Sequence, residues 1–363
     1  MRKVGLGIIG CGGIANAHAS AVVDLEEAEL VAVCDTLEAR ATDFVQRYGA
    51  RKAYADPQAL LADPQVEAVL VCTPHPSHCS IAMQAAEARK HVMVEKPLSV
   101  DLAQANRAIE AAKKAGIKFG VIFQRRFWPS AQRAKQAIDQ GKLSRVILGD
   151  CSVKWWREKS YYDRDAWRGT WAAEGGGVMV NQAVHAIDMY QWLMGPVDTV
   201  CGFWANLSHP YIEVEDTAVA ALRFKNGALG VIETTVSTKP QLGSKITVTG
   251  ENGATISVLE HPESRVGVND IWTIPGEDEE AARILAEETS TAESTFGSRA
   301  DPAAQSPDKR RPSFHGLQIR DFVQAIVDDR EPAVTAEEGR KAIEIIMAIY
   351  QSGRTGQPVR LPL

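Results

Sequence analysis

The stretch Gly7-Ile8-Ile9-Gly10-Cys11-Gly12-Gly13-Ile14-Ala15 decides the reading of this chain. An apolar run from Lys3 to Ile9, read as a short strand, leads into it, and a helix-compatible stretch from Ile14 to Val23 leads out. Strand, glycine turn and helix in that order match the Gly-x-Gly-x-x-Gly/Ala fingerprint of a dinucleotide-binding βαβ unit, with Ala15 in the third slot. Gly10 permits the tight turn, Gly12 lets the backbone approach a pyrophosphate, and Ala15 is small enough for close helix–strand packing. Unpaired N–H groups at the start of the helix make it a natural anion site, so Gly10, Gly12, Gly13 and Ile14 are the expected cofactor-binding residues of the turn.

Working outward, Leu30–Asp35 reads as a buried strand that ends on an acid about twenty residues past Ala15. A carboxylate there hydrogen-bonds both ribose hydroxyls and repels a 2′-phosphate, so Asp35 favours NAD over NADP. The alternation then continues: helix-like Leu37–Tyr48, a polar linker with Pro57 and Pro64, and an apolar strand Val66–Cys72 stopped by Thr73-Pro74. After these come helical Ser77–Arg89, strand His91–Val94, helical Asp101–Ala115 and strand Lys118–Phe123. Strands alternating with helices of this length imply a parallel, doubly wound α/β sheet, a Rossmann domain over residues 1–123. Ligands of such sheets bind at the carboxyl ends of strands, where the glycine turn, Thr73-Pro74 and Glu95-Lys96-Pro97 converge. His75-Pro76-Ser77-His78-Cys79 has the donors of a metal cluster, but Pro76 disrupts helical spacing and no second ligand group matches it. A structural or cofactor-adjacent role is therefore expected for His78, and no metal.

Composition sets the outer limits. The chain has 363 residues, 45% apolar and 24% charged, with 40 basic against 46 acidic side chains and a net charge of −6. That is the profile of a globular protein of two or so domains, not of a disordered or fibrous chain. The acidic balance excludes a nucleic-acid or anionic-membrane surface as the main business of the chain, and Arg125–Arg126 and Lys309–Arg311 are too short to alter this. Six cysteines without a Cys-x-x-Cys pair suit a reducing compartment. Arg2-Lys3 before an apolar run, with Ala15-Asn16-Ala17 beyond, imitates a secretion signal, but the glycines of that run weaken a signal helix. A cytoplasmic protein is the expectation.

From residue 124 the texture changes, and 124–363 is expected to form an α+β substrate-binding domain. Asn226-Gly227 joins apolar runs Ala218–Phe224 and Leu229–Val236, and Asn252-Gly253 joins Lys245–Thr249 and Ala254–Leu259. Both are hairpin signals. With Val146–Trp155 and Thr199–Ala205 they predict a large, mainly antiparallel open sheet. Helices are predicted over Ser130–Gln140, Gly177–Leu193, Gly316–Asp328 and Thr335–Gln351, the last opening with a capping box, Thr335-x-x-Glu338. Residues 275–314 read as a long polar excursion, and 316–363 as C-terminal helices and tail.

In Gly175-Gly176-Gly177-Val178-Met179-Val180-Asn181-Gln182-Ala183-Val184-His185-Ala186-Ile187-Asp188, helical spacing places Asn181, His185 and Asp188 on one face. A histidine held between an amide and a carboxylate suits proton transfer near neutral pH; the plain alternative is a satisfied helical histidine. The glycine triplet permits a close backbone approach, to a ligand among other things. Trp155-Trp156-Arg157, Tyr161-Tyr162, Trp167-Arg168 and Trp171 suit a sugar or polyol surface, or equally a sheet face or subunit contact.

These segments in this order resemble the glucose–fructose oxidoreductase / inositol dehydrogenase / MocA (Gfo/Idh/MocA) family of NAD(P)-dependent sugar and polyol dehydrogenases. The resemblance rests on residues 7–15 (GIIGCGGIA), 34–36 (CDT), 72–82 (CTPHPSHCSIA), 91–99 (HVMVEKPLS) and 175–188 (GGGVMVNQAVHAID), with the tail from Gln318 to Leu363. It implies that Lys96 lies beside the nicotinamide and contacts the reacting hydroxyl, that His185 exchanges the proton, that Glu95 sits near the nicotinamide ribose, and that a cis bond precedes Pro97. It also implies a homodimer or homotetramer built through the C-terminal sheet. Lysine chemistry fits a fixed cation beside an oxygen that gains negative charge, and an imidazole fits general acid–base work. Many members carry Asp where this chain has Asn181, an amide that contacts a hydroxyl but takes no proton. Arg126, Lys154, Tyr162, Trp167, Arg168, Asn181 and His315 join Lys96 and His185 as candidates for substrate contact. The reading is an NAD-dependent oxidoreductase acting on a secondary alcohol of a sugar, sugar derivative or cyclitol. The alternatives are a redox-assisted glycoside hydrolase and a non-catalytic dinucleotide sensor.

Overall fold

The computed structural model describes residues 2–261, 267–277 and 313–363. In chain order it begins β1 (Val4–Ile9), α1 (Ala15–Val23), β2 (Ala28–Cys34), α2 (Glu38–Tyr48), β3 (Lys52–Tyr54), α3 (Pro57–Leu61) and β4 (Ala68–Val71). There follow α4 (His78–Glu87), β5 (His91–Val94), α5 (Leu102–Ala115), β6 (Phe119–Val121), α6 (Pro129–Asp139), β7 (Val146–Lys154) and α7 (Lys159–Tyr162). Met179–Ala183 is wound as a π-helix that runs into α8 (Val184–Met194). The strands β8 (Val197–Ala205), β9 (Thr217–Phe224), β10 (Leu229–Thr235), β11 (Gly243–Gly250) and β12 (Thr255–Glu260) precede α9 (Phe314–Val327), α10 (Ala336–Thr355) and β13 (Val359–Arg360). No described helix is long and apolar enough to cross a membrane.

The chain forms two compact units, Met1–Gln124 with Pro312–Ile343 and Arg125–Arg311 with Glu344–Leu363. The first holds a six-stranded sheet of order β3-β2-β1-β4-β5-β6, parallel throughout. Every residue of β1 and β4 is buried, as expected of central strands covered on both faces. The linker expected around Pro57 instead holds β3 and α3, with Asp56 capping the helix by accepting from the Gln58 N–H and Pro57 at its first position. Asp101 likewise caps α5.

Helix α9, assigned on sequence to the C-terminal domain, belongs to this first unit. Its Ile319, Phe322 and Val323 are wholly buried in the same core as Leu6, Ile8 and Val22. Gln318 accepts from the Phe123 N–H (3.0 Å) and donates to the Val121 carbonyl (2.7 Å), satisfying backbone where the edge strand β6 ends. Of the polar excursion read over 275–314, residues 278–312 lie outside the described residues.

The second unit holds a seven-stranded sheet of order β12-β11-β7-β10-β9-β8-β13. It is antiparallel except where β7 and β10 pair in parallel. Both Asn-Gly turns close the expected hairpins, with Gly227 and Gly253 at positive φ of 88° and 83°. Burial alternates along β9, and one face of the sheet is open, with Phe203, Val219, Leu229 and Val231 exposed.

Candidate active site

Within the first unit, the ends of β1, β4 and β5 lie side by side where the strand order reverses, the place at which open α/β sheets bind ligands. Gly10 leaves β1 at φ 93°, and a Cβ there would stand 2.8 Å from the backbone C and O of Cys72. Only glycine fits. At Gly12 and Gly13 a Cβ would meet nothing within 4 Å, so protein packing does not explain these glycines, whereas an approaching pyrophosphate does. Asn16 Nδ2 braces the turn through the Gly12 and Gly13 carbonyls (3.2 and 3.0 Å). Ile14 leads into α1 without a side-chain cap, and no acid stands in the first turn, so the N-terminal N–H groups are available to an anion. Asp35, at the end of β2, accepts from Cys11 N–H and Leu37 N–H, both at 2.8 Å, which fixes its carboxylate beside the glycine turn. These residues fit a dinucleotide.

Thr73 and Pro74 follow β4. His78 is fully buried, with Nε2 2.8 Å from the Thr73 carbonyl and Nδ1 2.8 Å from the Pro97 carbonyl. The ring, expected beside the cofactor, ties the loops after β4 and β5 together. Burial lowers its pKa against the pull of both carbonyls, and a neutral ring donates to only one of them at a time.

Glu95 and Lys96 leave β5 buried, and the Lys96–Pro97 peptide is cis. Glu95 Oε1 lies 2.6 Å from His18 Nε2, while Oε2 accepts the Lys96 N–H at 3.0 Å. Burial pushes the Glu95 carboxyl up. The His18 hydrogen bond, with the charges of His18, His315 and Lys96, outweighs burial and holds it at about 2. His315, a substrate candidate on sequence grounds, is buried in α9 with its ring edge-on to His18 at 5.2 Å. His18, Glu95 and His315 are a group of donors that come together, with ligand atoms within 4.8 Å of one another.

In the second unit the predicted residues fall into four places. Arg126 and Asp188 form a buried, bidentate ion pair (2.8 and 2.6 Å), so Asp188 anchors α8 to Arg126. Lys154 pairs with Glu233 at 2.7 Å. Tyr162, Trp167, Arg168 and Asn181 gather around Tyr161. The Tyr161 hydroxyl accepts from Arg168 (2.5 Å), Asn181 Nδ2 (3.0 Å) and Gln182 Nε2 (3.1 Å), and the Arg157 and Arg168 guanidiniums stand 5.2 and 4.4 Å from its ring. Asn181 Nδ2 also donates to buried Glu174, whose other oxygen accepts the Gly169 N–H at 2.5 Å. An acid at 181 would face the Glu174 carboxylate; an amide gives it a donor. His185 is buried in the first turn of α8.

Gly176 and Gly177 serve the protein itself. A Cβ at Gly176 would overlap the Tyr350 hydroxyl, and one at Gly177 the Glu215 carbonyl oxygen. The Glu215 carboxylate accepts from Gly177 N–H (2.8 Å) and Met179 N–H (3.0 Å), capping the helix that carries Asn181 and His185. Burial, opposed by those N–H groups, pushes this carboxyl up to about 7. Glu174, Glu215 and His18 were missed in the sequence, because each works through a partner outside any local motif, while Tyr161 was read there only as part of an aromatic stretch.

A parallel nucleotide-binding sheet with this glycine turn and a Glu-Lys-Pro strand end defines a dinucleotide-dependent oxidoreductase. Residues 4–123 match the NAD-binding Rossmann fold and residues 135–361 the C-terminal α/β domain of the Gfo/Idh/MocA oxidoreductase family, and the chain belongs to that family. It is 29% identical to the myo-inositol 2-dehydrogenase of Thermotoga maritima over 361 residues, covering 98% of each chain. It is 27% identical to the scyllo-inositol 2-dehydrogenase (NAD(+)) of Bacillus subtilis over 368 residues, covering 99% of this chain and 97% of the relative. Among solved structures it resembles the WlbA dehydrogenase of Bordetella pertussis, in complex with NADH and UDP-GlcNAcA, with a TM-score of 0.84, 32% identity and full coverage of both chains.

Proposed function

We propose that this enzyme moves hydride between a secondary alcohol of a sugar, sugar derivative or cyclitol and NAD, with Lys96 and His185 as its catalytic residues. The observation that carries the reading is the convergence, in one sheet, of an anion-ready glycine turn at the end of β1 and a buried lysine at the end of β5, with β4 between them. The nicotinamide supplies the hydride acceptor. Lys96, on a strand end braced by Glu95, supplies a cation to the oxygen that gains negative charge as hydride leaves its carbon, and His185 takes up or returns the hydroxyl proton. Asp35 supports NAD over NADP, because a 2′-phosphate beside its fixed carboxylate meets like charge. The named activities of the inositol dehydrogenases and the ligand of the WlbA structure support polyols and nucleotide-linked sugars as the first substrates to try. Arg157 and Arg168 around Tyr161 favour the anionic members of that panel.

The test follows NADH absorbance across inositols, aldoses, glycosides and nucleotide sugars. Turnover with at least one, lost in Lys96→Ala while NADH still binds, is the expected result. Full activity in Lys96→Ala refutes the role given to the lysine. Release of a leaving group without net NADH points to the redox-assisted hydrolase instead. The open sheet face with Phe203, Leu229 and Val231 is proposed as a contact between copies of the chain, and sedimentation of wild type against Phe203→Glu checks it.

A further inference from the structure

Two buried imidazoles of the first unit converge on one buried carboxylate. His18 comes from α1, Glu95 from the end of β5 and His315 from the first turn of α9, and their exposures are 1%, 7% and 5%. The Glu95 carboxylate accepts hydrogen bonds and donates none, so the proton between it and His18 sits on Nε2, at 2.6 Å. His18 Nδ1 is buried and has no hydrogen-bond partner among the described residues, so the ring's hydrogen bond there is the one to Glu95. The second Glu95 oxygen holds the N–H of Lys96. A hydrogen bond from a side chain to the following amide fixes the backbone at the point where the lysine side chain departs. A carboxylate removed from water keeps such a position only when its charge is answered, and two imidazoles answer it here.

We infer that His18 and His315 are positioning residues for Lys96, acting through Glu95: they hold the carboxylate, and the carboxylate sets the direction of the lysine. This rests on the catalytic role proposed for Lys96. It goes beyond that role by making α9, which begins after residue 312, a determinant of the cofactor unit's reactive cation. The arrangement explains why a histidine whose Nδ1 has no hydrogen-bond partner among the described residues is tolerated in α1: its bond to Glu95 restrains a charge beside the chemistry.

The experiment compares full-length wild type with His18→Ala, His18→Gln, His315→Ala and Lys96→Ala. Labelling of the Lys96 amine by an acylating reagent, followed by peptide mass spectrometry, reads its placement without needing a substrate. Turnover with whichever panel member is active reads the consequence. The alanine variants are expected to change the Lys96 labelling rate by roughly tenfold and lower kcat by roughly 10–100-fold with little change in KM, while Lys52 labels as in wild type. His18→Gln, whose amide N–H replaces Nε2–H, is expected to recover most of the loss; thermal melting reports whether each variant is folded. Wild-type labelling and kcat in both alanine variants, with Lys96→Ala inactive, overturns this inference and leaves the lysine's role intact. An active Lys96→Ala overturns that role, and the labelling rates still decide whether the cluster places the lysine. One equivalent of divalent metal in the purified protein, lost in His315→Ala, overturns the inference in favour of a His–Glu–His metal site.

Discussion

Gly10 and Gly12 lie two residues apart, and the structure gives them opposite jobs. Alanine at Gly10 must adopt φ 93° and place its Cβ 2.8 Å from two backbone atoms of Cys72. The left-handed conformation costs about 1–2 kcal/mol, and relieving the overlap by moving the backbone costs about as much again, of order 1–3 kcal/mol. A loss of about 2–5 kcal/mol lowers Tm by roughly 4–20 °C for a unit of this size. Alanine at Gly12 meets nothing within 4 Å, and its stability without nucleotide is expected to stay within about 0.5 kcal/mol of wild type. Its effect appears on the ligand: a methyl that holds a pyrophosphate off the N–H groups forfeits about 1.5–3 kcal/mol of charge-assisted hydrogen bonding. The Kd for NADH then rises roughly 10–100-fold. The assay is thermal unfolding without nucleotide beside a fluorescence titration with NADH. Wild-type NADH affinity in Gly12→Ala, or a melting loss there as large as in Gly10→Ala, refutes the division of labour.

Three further outcomes follow from buried charge and buried thiols. Asp188→Ala strands the Arg126 guanidinium in the interior and is expected to cost about 3–5 kcal/mol in urea unfolding; a loss below about 1 kcal/mol contradicts the pairing. Glu215 holds its proton in the folded state up to about pH 7, above its ordinary 4.5, so between those values folding takes up a proton and stability falls as pH rises. The difference in unfolding free energy between wild type and Glu215→Gln is expected to shift by up to about 3 kcal/mol across that window, and no pH dependence in the difference counts against the buried carboxyl. Native protein is expected to react quickly with a thiol reagent at exposed Cys201 alone and at all six cysteines in guanidinium, since Cys11, Cys34, Cys72, Cys79 and Cys151 are buried with raised pKa values. Rapid labelling of more than one native thiol contradicts this.

What was legible in the sequence was local. The glycine turn, Asp35 at a strand end, both Asn-Gly hairpins and the Thr335 cap, whose hydroxyl accepts the Glu338 N–H at 3.3 Å, are set by residues within a few positions of one another. The three-residue β3, largely exposed, carries too little periodicity to show. The parallel pairing of β7 with β10 and the place of α9 depend on partners far along the chain. The Asn181–His185–Asp188 face assumed an unbroken α-helix. The π-helical turn at Met179–Ala183 breaks that spacing, and each of the two polar neighbours is engaged elsewhere, by Tyr161 and Glu174 or by Arg126. His18 and Glu95 stand 77 residues apart, so no short motif announces them.

The membership of α9 in the first unit has a consequence for how the protein is made. When the ribosome has released the first 124 residues, all six strands of the nucleotide-binding sheet are present, but Ile319, Phe322 and Val323 of its core are not, nor is the Gln318 amide that closes β6. The first sheet to be synthesised is the one sealed nearly last, after six of the seven strands of the second sheet have emerged. A fragment ending at residue 124 is therefore an unfinished domain with an apolar window in it, and cofactor competence is expected only late in translation.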